Sequence, residues 1–260
     1  MVVSILFRQW RSGLRIETFF LWFMNSLLIK DLGQQNYLTT LDIQERLLIK
    51  KQVLRRSDIL LLVEHDHVFT IGRGGKEKNL LKEEGVPFIR TSRGGDITYH
   101  GPGQMVAYPL LDLRSKLRKD VHKYLRNLEL SLIDVLKIFA IPATRLPPWT
   151  GIWIGKRKIA SLGIAVRRGI TYHGLALNVN TDLSYFNRII PCGITWAEVT
   201  SIERELGRSI LLSNVKEVFI DCFTKRFRYK GYQELCHEDI LTGSELRPPA
   251  TSNTSASNVY

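Results

Sequence analysis

The sequence predicts an α/β protein on three observations. Helical hydrophobic periodicity occurs in three stretches, strand-length apolar runs lie between them, and β-formers alternate with turn residues from Gly151 to Asn180. Length and composition agree: 260 residues make one large domain or two small ones, with 44% hydrophobic and 24% charged residues. Such a chain buries a substantial core, and collagen-like, low-complexity and disulfide-stapled classes are excluded. No internal repeat and no convincing linker divides it.

Residues 1–28 carry Arg8, Arg11 and Arg15 against Glu17, then the apolar run Phe19 to Met24, and Leu27 to Ile29 follow. Asn25, Ser26 and Lys30 interrupt that run before the roughly 20 apolar residues of a spanning helix. A signal peptide lacks its small-x-small cleavage site here, and a transit peptide would be richer in serine. The preferred reading is that Met24 is the true start and the preceding segment is translated upstream sequence.

Tyr37 to Lys51 has an amphipathic helical pattern, with Leu38, Leu41, Ile43, Leu47, Leu48 and Ile49 among polar residues. Ile59 to Val63 reads as a buried strand running into a loop at Glu64, His65, Asp66 and His67. Val86 to Ile89 and Val106 to Leu113 read as further strands, separated by a glycine-dense segment that is not regular throughout. Val121 to Phe139 is helical until Pro142, Pro147 and Pro148. Turn candidates at Gly155 to Arg157 and Arg167 to Gly169 make Gly151 to Asn180 an antiparallel meander. A last helix is expected over Val215 to Phe227, and Pro248 to Tyr260 offers little to bury.

Lys and Arg number 37 against 25 Asp and Glu, a formal net charge of +12. Such a balance favours an acidic partner, whether nucleic acid, anionic membrane or acidic protein. No nucleic-acid motif, zinc spacing or stacking platform singles out the first. The three cysteines, Cys192, Cys222 and Cys236, are odd in number and include no CxxC pair, which points to a reducing compartment.

Three segments carry chemistry. Arg93-Gly94-Gly95-Asp96-Ile97-Thr98-Tyr99-His100-Gly101-Pro102-Gly103-Gln104 is a poor core and a good ligand-contacting loop, although a tight turn with self-satisfied polar groups has the same composition. In Lys158 to Val166, read as a strand, Lys158 shares a face with Ala160, Leu162 and Ile164, which would desolvate its amine; on spacing alone a lysine in a basic turn is a solvated charge. Cys192 stands between Pro191 and Gly193 in a shaped loop, whereas a lone cysteine is ordinarily a small buried hydrophobe. Cys222 lies in an apolar helix pattern and reads as structural; Cys236 has no evident role.

Taken together and in order, "LGQQNYLTTLDIQERL", "LLLVEHDHVFTIGRGG", "RGGDITYHGPGQMVAYPLLDL", "TGIWIGKRKIASLGI", "TYHGLALNVNTDL" and "IIPCGI" followed by "VTSI" closely resemble the octanoyltransferase family, the lipoyl(octanoyl) transferases. The likeness runs from about Ile29 to Phe227. It departs at Asp66-His67, where the family often has two prolines. It implies a catalytic domain over 29–230, a non-family segment over 1–28 and a polar tail over 231–260.

What the resemblance implies is a mixed β-sheet flanked by helices, as in biotin and lipoate protein ligases. The activity it implies is acyl transfer from octanoyl acyl carrier protein to one lysine of apo lipoyl domains, those of 2-oxo acid dehydrogenase complexes and the glycine cleavage H protein. The family's nucleophilic cysteine falls on Cys192 and its partner lysine on Lys158. Arg93, Gly94, Gly95, Asp96, Ile97, Thr98, Tyr99 and His100 would line the acyl and carbonyl end of the pocket, completed by Ser161, Leu162, Gly163, Gly174, Leu175 and Ala176. Backbone amides beside Gly193 or in the glycine loops are candidate oxyanion donors. No cofactor, metal, nucleic acid or stable membrane association is implied. A cytoplasmic monomer is the simplest expectation, with a mitochondrion or plastid the alternative if 1–28 is a transit segment. The competing reading is an ATP-dependent lipoate or biotin ligase of the same fold, whose adenylate chemistry needs no nucleophilic cysteine.

Overall fold

The computed structural model describes residues 26–235 apart from 55, 56 and 118. The tail beyond Leu235, Cys236 and the Met24 start therefore lie outside the described residues. Among those described, no helix is long and apolar enough to cross a membrane.

One large mixed sheet organises the chain. Its strands are β1 (Ser26–Gln35), β2 (Asp58–His65), β6 (Gln104–Leu110), β7 (Thr144–Leu146), β8 (Trp149–Ile154), β9 (Arg157–Arg167), β10 (Ile170–Asn178), β11 (Glu198–Val199) and β12 (Gly231–Glu234). Their order is β12-β1-β2-β6-β10-β9-β8-β7, with β11 pairing β9. β1 is parallel to both neighbours, and along β2-β6-β10-β9-β8-β7 each successive pair is antiparallel. The meander expected over Gly151 to Asn180 is β8-β9-β10, turning at the two anticipated places. A smaller sheet, β4-β3-β5, is made of β3 (Val68–Ile71), β4 (Phe88–Arg90) and β5 (Ile97–His100).

Helices cover both faces of the large sheet. On one face α3 (Val121–Ile138) and α5 (Leu212–Arg226) pack together over the larger core. The reason is their spacing: Tyr124, Leu128, Leu132 and Val135 form one buried stripe on α3, and Val215, Phe219, Cys222 and Phe223 another on α5. Asp120 caps α3 by accepting from the Lys123 amide at 2.8 Å. Cys222 is buried there, as its pattern predicted. On the opposite face α1 (Tyr37–Leu54) buries Leu47 against Leu61, Val63 and Val106. The short helices α2 (Leu113–Lys116) and α4 (Ile202–Leu206) join the remaining strands.

The chain differs from expectation at several points. Leu27 to Ile29 are core residues of β1, so the expected boundary at 28/29 falls inside a strand. At the other end, β12 of the expected polar tail pairs with β1. β3 and β5 were not read from the sequence; β5 sits inside the glycine-dense segment and is held by pairing with β3, not by local propensity. The sixth strand ends at Leu110 rather than Leu113, because Asp112 caps α2.

Candidate active site

A cavity of about 260 Å³ opens between the two sheets, and Cys192, Lys158, Arg93, His100 and His173 are on its wall. Cys192 belongs to a 3₁₀ turn, Pro191–Gly193, and its own backbone is left-handed at φ 57°. That conformation is uncommon for a side-chain-bearing residue and persists only where its surroundings impose it. Here the surroundings are the Ile190 amide donating to Asn79 O at 2.8 Å and the Gly193 amide donating to Ile190 O at 3.0 Å. Asn79 in turn donates to Asp96 at 2.6 Å, which ties the cysteine turn to the glycine loop. A few residues later β11 pairs with β9 at Arg157 and Lys158, and the Thr200 amide donates to Lys158 O at 3.0 Å. The chain leaving Cys192 is thus fastened to the backbone of Lys158.

Lys158 is buried, only 4% exposed, and its Nζ donates to Cys192 Sγ at 2.9 Å. The same Nζ lies 5.4 Å from the centre of the Trp153 ring. The solvated-charge reading of Lys158 is therefore replaced, and so is the face it was expected to share with Ala160. The β8–β9 ladder slips between Ile152↔Ala160 and Trp153↔Lys158, leaving Ile159 as an extra residue. Such a bulge lets Ile159 and Ala160 both enter the core while Lys158 is re-aimed into the cavity.

The opposite wall is polar and nearly saturated. Arg93, 7% exposed, donates to Thr70 O at 2.7 Å, Thr70 Oγ1 at 2.9 Å and Gly94 O at 3.0 Å. Its side chain crosses the β9–β10 hairpin over the Gly163↔Gly174 pair, and a Cβ on Gly163 would sit 2.9 Å from Arg93 Cδ. His100 contacts Gln104 Oε1 at 2.7 Å and Thr70 Oγ1 at 3.3 Å, His65 lies 2.7 Å from Tyr108 Oη, and His173 lies 3.0 Å from Ser92 Oγ. Burial pushes all three imidazoles down, His65 to about 4 and His100 and His173 to about 3; Arg93 adds to the shift at the latter two. They are neutral at pH 7. Burial likewise pushes the Tyr37 phenol up to about 12. Arg93 Nε and His173 Nδ1 are buried without a protein partner, which leaves donors or acceptors for a carbonyl-bearing ligand.

Of the sequence-predicted residues, Arg93, Gly95, Asp96, Thr98, His100, Lys158, Ser161, Leu162, Gly163, Gly174, Leu175, Ala176 and Cys192 line this cavity. Ile97 and Tyr99 point the other way, into the core of the small sheet, as strand alternation requires. Gly94 is set back, its amide donating to Ile164 O at 2.8 Å. The Gly193 amide, an anticipated oxyanion donor, is committed to Ile190, and the Ile194 amide donates to Pro191 O at 3.0 Å. Tyr37, Tyr108, Trp149 and His173 also line the cavity and were missed. Only His173, beside the predicted Gly174, carried a local signal. At the Asp66-His67 departure, His67 lies 2.7 Å from Tyr99 Oη and stacks on Tyr185, while Asp66 accepts from Gln34 at 2.8 Å.

A family model described as the lipoyl protein ligase A/B catalytic domain matches residues 36–224. An octanoyltransferase of Solibacter usitatus is 46% identical over 213 residues, spanning 80% of this chain and 96% of that protein. An octanoyltransferase of Geobacter sp. is 44% identical over 191 residues, 74% of this chain and 92% of that protein. Among solved structures, lipoate-protein ligase A bound with ATP superposes with a TM-score of 0.66 at 19% identity, over 83% of this chain and 90% of the other. Plasmodium falciparum LipL1 in complex with lipoate does so at 0.62 and 18%, over 84% and 69%. These two likenesses establish the shared fold.

Proposed function

Since the chain belongs to the lipoyl protein ligase A/B catalytic family, and within it to the octanoyltransferases, we propose that Cys192 carries an octanoyl group from acyl carrier protein to one lysine of an apo lipoyl domain, with Lys158 handling the protons. The observation that carries this reading is the 2.9 Å contact between Lys158 Nζ and Cys192 Sγ inside a cavity.

A thiol is mostly protonated at neutral pH, whereas the thiolate is the nucleophile, so an adjacent amine or ammonium is what the step needs. Cys192 Sγ attacks the donor's carbonyl carbon, the carbonyl–sulfur bond to the carrier breaks, and the carrier thiolate leaves with a proton relayed by Lys158. In the second half-reaction the acceptor lysine's neutral amine attacks the Cys192 thioester. Its proton passes to Lys158 or to the departing Cys192 sulfur, and an amide is formed. Arg93, through its unpartnered Nε, and His173, through Nδ1, are the polar groups available to the carbonyl oxygen. Leu162, Leu175, Ala176 and Val106 supply apolar wall for the acyl chain, at about 0.8 kcal/mol per buried methylene. The acceptors in this reading are the lipoyl domains of 2-oxo acid dehydrogenase complexes and the glycine cleavage H protein, served by a monomer in the cytoplasm.

Intact mass after incubation with octanoyl acyl carrier protein tests it. Wild type is expected to gain about 126 Da, labile to hydroxylamine, and Cys192→Ser to gain no such thioester. An unmodified wild type, or the same thioester on the serine variant, would overturn the assignment. Formation of an acyl adenylate from ATP and free octanoate would then establish the ligase alternative.

A further inference from the structure

Behind the Lys158 wall lies a buried carboxylate that the reaction above does not use. Glu129, on α3, is fully enclosed and pairs with Arg126 and with Arg145, whose Nε is 3.0 Å away. Its Oε1 also accepts from the Gly151 amide of β8 at 3.2 Å. Gly151 has φ 134°, a conformation open to glycine, and it directly abuts the catalytic lysine. A Cβ there would stand 2.6 Å from Lys158 Cε, 2.8 Å from Ala160 O and 3.2 Å from Lys158 Nζ. Gly151 also directly precedes Ile152, where the β8–β9 ladder slips and Lys158 is re-aimed.

We propose that Glu129 is the positioning residue for Lys158: by holding the Gly151 amide it fixes the bare stretch of β8 along which the Lys158 side chain lies to reach Cys192. The proposal rests on Lys158 and Cys192 acting as read above. A purely structural ion cluster would be complete with the two arginines. The third bond, to the one backbone position that leaves space for the lysine stem, is what a support for Lys158 requires. Charge follows the same geometry. Burial pushes the Glu129 carboxyl up, and the groups opposing that shift are the Gly151 amide, Arg126, Arg145 and Lys158 itself. Near Lys158, the other facing groups are Cys192 and the Trp153 ring.

The test compares wild type, Gly151→Ala, Glu129→Gln and Glu129→Leu in the first half-reaction, separating the rate constant for Cys192 octanoylation from KM for octanoyl acyl carrier protein and recording Tm alongside. Gly151→Ala and Glu129→Leu are expected to slow octanoylation roughly tenfold to a hundredfold at unchanged KM, the size of effect that a misplaced catalytic group produces. Glu129→Gln keeps an oxygen for the Gly151 amide and should recover most of the rate. A Leu variant with lowered Tm but wild-type rate would overturn the proposal, because a structural role moves the first and not the second. A Gln variant as slow as the Leu variant would also overturn it. Should the Leu variant fail to fold, Glu129→Asp replaces it, since it keeps the charge for both arginines but draws the carboxylate back from the Gly151 amide, and a folded, wild-type-rate Asp variant sinks the idea. Failure of the underlying reading looks different: wild type itself then acquires no thioester. Iodoacetamide alkylation of Cys192 in the four proteins would still report whether Lys158 reaches the thiol.

Discussion

At the Cys192 wall of the cavity, position is secured by irregular backbone: a left-handed cysteine in a 3₁₀ turn, a bulge at Ile159 and a glycine at 151. At the Arg93 wall it is secured by regular strands and dense side-chain bonding, with Arg93, His65, His100 and Thr70 engaged by one another and by Gln104 and Tyr108. The first wall sets a thiol and an amine 2.9 Å apart, the pair to which the proposed reaction assigns the proton transfers. The second keeps its histidines neutral by burial, which in the proposed reaction leaves them to shape and polarise the cavity rather than carry protons. Backbone strain thus collects at the proposed nucleophile, and dense hydrogen bonding on the wall that faces it.

The largest effect should come from removing the group to which the proposed reaction assigns proton handling. Lys158→Ala is expected to lower Cys192 octanoylation by about 10²–10⁴-fold, as loss of a general acid–base does, while the donor still binds. Single-turnover kinetics decide it. A Lys158→Ala enzyme within a few-fold of wild type would mean that the two walls do not differ in the way described.

Acid is the corresponding probe of the Arg93 wall. His65, His100 and His173 have folded values of about 4, 3 and 3, below the ordinary 6.5 of an unfolded histidine. Between those limits the unfolded chain binds more protons, so stability is full above about pH 6.5 and falls as pH drops toward 4 and 3. Urea midpoints measured at pH 7, 6 and 5 should decline in that order. Substituting His65 with a neutral isostere should flatten the decline. A midpoint constant from pH 7 to 5 would show that the imidazoles are not held neutral by burial.

Gly174 tests how tightly that wall is closed. Its Cβ would fall 2.0 Å from Ala107 O, a backbone atom on the adjacent strand that has little room to move. Gly174→Ala should cost about 1–3 kcal/mol of stability by overpacking, read as a lower urea midpoint. An unchanged midpoint would mean that β6 and β10 separate without penalty.

How much of this was legible in the sequence follows the same division. The helices were readable because α3 and α5 obey a period of 3.6, and the meander because β-formers there alternate with turn residues at Gly155 to Arg157 and Arg167 to Gly169. β3, β5 and β1 were not, because Val68–Ile71 and Ile97–His100 are four-residue strands stabilised by partners distant in sequence, and β1 follows an apolar run resembling a leader. In the site, the family motifs led to Cys192, Lys158 and the glycine loop. Lys158 alone showed nothing local, since its burial depends on a bulge and on Gly151. Tyr37, Tyr108 and Glu129 were invisible for a related reason: each belongs to a strand or helix whose own pattern signals only packing.

The smallest expected effect separates chemistry from encounter. Lys158 and Arg93 are both buried, and charges in such places are weakly screened, so added salt should leave the octanoylation rate constant nearly unchanged. The outer surface is different. A formal net charge of +12 over 260 residues would attract the acidic carrier or acceptor of the proposed reaction from a distance, an attraction that weakens as the Debye length shrinks to about 10 Å at 0.1 M salt. Raising ionic strength should therefore lower kcat/KM for octanoyl acyl carrier protein several-fold while sparing the single-turnover rate constant at saturating donor. If both quantities fell together, the Lys158–Cys192 contact would be solvent-screened and its wall wetter than its burial implies. If neither moved, the positive charge would play no part in bringing the substrates to the cavity.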